Sequence, residues 1–145
     1  MSQDMYELFH TDEMLEKDGV YIDYGSFRVK LARSGGANKR YGRILEAKAK
    51  PYRRAIQTKT MDNELAEKMM MDAFVETCIT DWQTRIDEDE WKTGVLAEDK
   101  SLQAFNKANV LKVFKRLPDL FIDLSEQATT LSNYRIGELE EDAKN

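Results

Sequence analysis

The chain has one cysteine and one histidine in 145 residues. A single cysteine, Cys78, excludes a disulfide framework and a cysteine zinc cluster. A lone imidazole, His10, excludes most histidine-based metal sites and any paired-imidazole chemistry. Only two prolines and seven glycines argue for long helices over a strand-and-turn fold. No apolar run approaches the roughly 18 residues of a membrane-spanning helix. The first ten residues, MSQDMYELFH, are acidic and lack a basic head and an apolar stretch, so they do not read as a signal peptide. A reduced, intracellular setting is the expectation. What is present is 41% hydrophobic and 34% charged, the profile of a folded chain and of one domain spanning residues 1–145.

Charge is unevenly spread. The net charge is −5. Residues 1–18 carry six acids and one base. Residues 28–54 carry ten bases against Glu46 alone, a segment of +9 that leaves −14 elsewhere. The last eight residues, ELEEDAKN, hold four acids and one base. Two surfaces of opposite sign permit head-to-tail self-association, or a partner of either sign.

Periodicity sets out the elements. Residues 1–18 read as a short amphipathic lead-in ended by Gly19. Val20, Ile22 and Tyr24, then Phe27, Val29 and Leu31, alternate with polar residues around Gly25-Ser26, which predicts a β-hairpin over about 20–33. A basic helix follows from about Asn38 to Lys50, and Pro51 stops or kinks it. Asp62 is placed to cap a helix whose apolar residues run from Leu65 through Phe74, Cys78 and Ile79 to Trp82. Residues 84–100 read as an acidic loop or short hairpin. Asn106 is placed to cap a further helix, and Pro118 fits the first position of the last one. Gly137 and an acidic tail over about 137–145 are expected to fray. The fold class expected is mainly α, a helical domain with a small N-terminal β-hairpin.

Few residues suggest chemistry. Asp87-Glu88-Asp89-Glu90 lacks the register of a calcium loop, since Trp91 stands where Gly is wanted, and a solvated loop is favoured. Ser34-Gly35-Gly36 lacks the Gly-Lys-Ser/Thr ending of a phosphate loop and reads as a plain turn. No nucleophile and base can be paired by spacing, so the chain does not read as an enzyme and no cofactor is called for. Met69-Met70-Met71 cannot all face one core, because successive helical residues point about 100° apart. The helix is either buried all round or offers one Met to an adaptable contact. The candidate partner-binding residues are Arg28, Lys30, Arg33, Lys39, Arg40, Arg53, Arg54, Met69, Met70 and Met71. A basic stretch interleaved with Phe27, Tyr41 and Tyr52 also resembles a nucleic-acid footprint, but the acidity of the whole chain disfavours a polyanion.

Three stretches in order, FRVKLARSGGANKRY, AKAKPYRRAIQTKTMDNELAEKMMMDAFVE and NVLKVFKRLPDLFIDLSEQA, resemble tail assembly chaperones of tailed bacteriophages. The likeness covers roughly residues 5–145, and ARSGGANKRY with LPDLFIDLSEQA is its most specific part. The stretch IDEDEWKTG departs from the tight Gly turn of many relatives. The resemblance implies a non-catalytic protein without cofactor that coats the tape-measure protein while the tail tube polymerises. It implies action in the host cytoplasm and absence from the finished virion. It names as partners the tape-measure protein, a frameshifted longer form of the chain and the tail tube protein, beside a homo-oligomer. Ala143-Lys144-Asn145 can be encoded as GCA-AAA-AAC, which contains a slippery heptamer, so this chain would be the short, unshifted form. The competing expectations are a small nucleic-acid-binding protein using residues 28–54, and a structural tail or adaptor subunit retained in the virion.

Overall fold

The computed structural model describes residues 4–135. The acidic tail, Gly137 and the proposed slippery site lie outside them. The lead-in is two short helices, α1 (Met5–Phe9) and α2 (Glu13–Asp18), capped by Asp4 and Asp12. The hairpin forms as β1 (Val20–Asp23) and β2 (Phe27–Leu31). Then come α3 (Lys39–Ala49), a 3-10 turn (Lys50–Tyr52) carrying Pro51, α4 (Arg53–Gln57) and α5 (Asn63–Thr77). The chain returns through β3 (Ile79–Asp87) and β4 (Glu90–Thr93). A two-stranded ribbon, β5 (Val95–Leu96) and β6 (Leu102–Gln103), leads to α6 (Lys107–Arg116) and α7 (Pro118–Gln127).

The fold class differs from expectation. The hairpin is half of a four-stranded antiparallel sheet ordered β1-β2-β3-β4, and the protein is mixed α/β rather than mainly α. The error lies at Thr77. Val75, Cys78, Ile79 and Trp82 recur at i, i+3, i+4 and i+7, which a helix satisfies. A strand satisfies the second half as well. Trp82 and Thr84 turn inward, while Asp81, Gln83 and Arg85 lie on the opposite face. The β-branched Thr77, Ile79 and Thr80 favour that choice. A bulge at Thr80 keeps Ile79 opposite Leu31 on the core side, and the extra residue's hydroxyl donates to Asp18 and Lys30 carbonyls at 2.8 and 3.2 Å. The acidic run 87–90 becomes the tip of the β3–β4 hairpin.

The core lies between the inner sheet face and the helices. Val29, Leu31 and Trp82 from the sheet meet Phe74 and Cys78 from the α5 end, and Val110, Phe114, Leu124 and Ala128 from the α6–α7 end. Phe114 packs 5.4 Å from Phe121, which meets Phe74 edge-on at 5.5 Å. Asp62 and Asn106 cap α5 and α6 through their side chains, as their positions suggest. Asn38 does not cap α3. It is buried, and its amide donates to the carbonyls of Arg33 and Thr77, fastening the turn before α3 to the end of α5. Gly19 is required where α2 meets the sheet. Its φ is +102°, and a Cβ there would stand 2.9 Å from the Leu31 carbonyl carbon.

Candidate functional site: an apolar groove with a basic rim

The charged residues singled out from sequence do not gather on one element. Arg28 and Lys30 stand on the outer sheet face, Arg33 on the loop after β2, Lys39 and Arg40 at the start of α3, and Arg53 and Arg54 at the start of α4. Several are already engaged. The Arg28 guanidinium lies 4.5 Å from the Tyr21 ring centre and 4.4 Å from that of Trp91, and its Nε donates to Gln83 Oε1 at 2.7 Å. Lys30 Nζ lies 5.8 Å from the centre of the same Tyr21 ring, whose hydroxyl donates to Asp81. Burial and Asp81 together push the Tyr21 phenol up to about 12. Arg33 is held by Glu16. Arg40 reaches the Glu76 carbonyl only at 3.5 Å. Lys39, Arg53 and Arg54 are exposed. Of the methionines, Met69 is buried, Met71 packs partly against the core, and Met70 is half exposed.

One further ionic cluster and the buried cysteine are structural. Glu76 on α5 accepts from Lys48 of α3 at 3.1 Å and from Lys107 of α6, which holds its carboxyl below the usual carboxylate value and joins three helices. Cys78 is fully buried, and burial pushes its thiol up to about 11, so the nucleophilic thiolate is scarce at neutral pH. Among the described residues, no group of three or more His, Cys, Asp or Glu side chains is placed to hold a metal ion. Among them also, no helix is long and apolar enough to cross a membrane.

The feature that sequence reading missed is a groove. It opens between the far end of the sheet, the β5–β6 ribbon and the α6–α7 corner, with a volume of about 1310 Å³. That exceeds the roughly 300–1,000 Å³ usual for a small-molecule pocket. Phe27, Trp82, Val95, Val113 and Leu120 form an apolar floor. Ile86, Leu96 and Leu117 stand around it with 50%, 42% and 53% of their surface exposed. Together they form an exposed apolar patch contributed by three separate elements.

Local sequence explains the opening. Ile86 is the extra residue of a second bulge, since Arg85 pairs with Trp91 and Asp87 with Glu90. Gly94 turns the chain from β4 into β5 at φ +149°, so close to the ribbon that a Cβ would stand 2.8 Å from the Gln103 carbonyl oxygen. Leu117 sits between two helices, kept out of the helical conformation by the following Pro118, at φ −126° and ψ 71°. The rim is basic. Lys100, Lys112, Lys115 and Arg116 line it against one acid, Glu98, which accepts from Arg116 Nε at 2.8 Å, while the Arg85 guanidinium at its edge is taken up by the Trp91 ring, 4.3 Å away, and by the Gly25 carbonyl. Chemically the groove suits an amphipathic segment with an apolar stripe and acidic flanks.

Residues 36–145 match the family described as YdaY prophage protein. The match takes in every element from α3 onward, and the chain belongs to this family. Its origin is therefore a phage. No curated protein matches, and no solved structure matches.

Proposed function

We propose that the protein is a phage tail assembly chaperone that binds helical segments of the tape-measure protein and keeps them soluble. The observation that carries this reading is the groove: an apolar floor, three half-exposed aliphatic walls and a basic rim. A long amphipathic protein awaiting its tube exposes an apolar stripe and needs a cover that can leave again. A helix laid in a groove buries that stripe, and rim charges select its flanks and raise the encounter rate. Many weak copies along one chain give overall retention with easy release of each. The resemblance of residues 27–41, 47–76 and 109–128 to such chaperones, and the phage origin, support the reading. Under it the chain acts in the host cytoplasm without catalysis or cofactor, and is absent from the virion. A longer frameshifted form and the tail tube protein are further partners.

The test is co-expression with the tape-measure protein of the same prophage, followed by pull-down. The reading expects a tape-measure protein that is insoluble alone and soluble and retained with this chain. A tape-measure protein that stays insoluble and unretained, even with the longer form supplied, overturns it.

A further inference from the structure

We propose that the groove of one copy receives the N-terminal segment of a second copy, so that the protein associates head to tail. This shares the groove of the tape-measure reading, with the N-terminus of a neighbour covering it until a tape-measure helix displaces it. The segment has the chemistry the groove asks for. Met5, Tyr6 and Phe9 fall within one 100° arc of α1, and they are 64%, 72% and 68% exposed. Glu7 lies on the opposite side of that helix, and Asp4, Asp12 and Glu13 flank it.

Alone, α1 has little reason to form. It has five residues, none of them buried, and its hydrogen bonds among the described residues are local. Isolated helices shorter than about 12–15 residues are marginal in water, so packing has to supply what length does not. An apolar face with acidic flanks meets an apolar floor whose rim carries Lys100, Lys112, Lys115 and Arg116.

The contact has to be between molecules. Asp12 N donates to the Tyr134 carbonyl, and Tyr134 Oη donates to the Leu31 carbonyl, so the lead-in sits at the Leu31 end of β2. The groove sits at the other end, by Ser26 and Phe27. A surface that binds a different surface on its neighbour is heterologous, and it builds rings or open chains rather than closed pairs.

The experiment is sedimentation equilibrium of the full chain over a concentration series, with Phe9→Asp and Leu117→Asp variants. Both positions are exposed, and circular dichroism confirms that each variant is folded. The wild type is expected to exceed monomer mass with rising concentration and to lose that excess in high salt. Each variant alone is expected to stay monomeric. Mixed in equal amounts, the two are expected to reach twice the monomer mass and no more, because one intact groove meets one intact N-terminus. A wild type that is monomeric throughout overturns the proposal. So does association that survives Leu117→Asp, or a mixture that stays monomeric. None of these results bears on whether a tape-measure helix binds the groove.

Discussion

The buried carboxylate of Glu16 accepts a charged hydrogen bond from Arg33, tying α2 to the loop that enters α3. Only 2% of Glu16 is exposed. Burial works to raise its carboxyl value, but Thr11, the Ala37 amide at 2.8 Å and Arg33 outweigh it, and the net direction is downward. A group with a lowered folded value stabilises the protein fully above its unfolded value, here 4.5, and loses that contribution as pH falls through the folded value. Urea midpoints are therefore expected to drop through that acid range. Glu16→Gln is expected to lower the midpoint at neutral pH and to flatten its fall in acid. Arg33→Ala is expected to cost more, about 3–5 kcal/mol, because it leaves a buried charge without its partner.

Phe74 is 2% exposed and meets Phe121 edge-on. Phe74→Ala is expected to cost about 3–5 kcal/mol in urea unfolding, from lost transfer free energy and the cavity left behind. A loss well under 1 kcal/mol would remove α5 from the centre of the core.

Gly19→Ala confronts both a left-handed φ and the Leu31 backbone. Backbone cannot step aside as a side chain can, so a loss above about 1 kcal/mol is expected. Gly25 offers a comparison within the same sheet. It also has positive φ, but nothing stands within 4 Å of its missing Cβ. Gly25→Ala is expected to cost less than Gly19→Ala, and thermal unfolding of the pair measures the difference.

Arg53 and Arg54 are exposed at the start of α4. Reversing either to Glu is expected to change stability by no more than about 0.5 kcal/mol. Any loss of partner binding in those variants would then report contact rather than unfolding. For Arg28, wedged between Tyr21 and Trp91, the same reversal confounds the two.

How much of this was legible depends on how local each feature is. The hairpin, the caps at Asp62 and Asn106 and the break at Pro118 rest on a few neighbouring residues, and they stand in the structure where periodicity puts them. β3 was missed because its apolar residues continue the stripe of α5 without a break in spacing. Only the β-branched cluster from Thr77 to Thr80, and the alternation of Trp82 and Thr84 with Asp81 and Gln83, marked the change. The groove had no local signature. It is assembled from Phe27, Ile86, Leu96 and Leu117, which lie on β2, β3, the β5–β6 ribbon and the α6–α7 corner, and the β2–β3 pairing that joins the first two was not foreseen. Charge was legible as blocks but not as surfaces: the basic rim of the groove lies outside the most basic segment.

The most direct test of the groove as the chaperone site is tape-measure solubility with groove variants. Leu96→Asp and Leu117→Asp, both at exposed positions, are compared with Met70→Asp on the exposed side of α5. The account predicts that the tape-measure protein stays soluble with wild type and with Met70→Asp, and precipitates with either groove variant. Full solubility with both groove variants would contradict it.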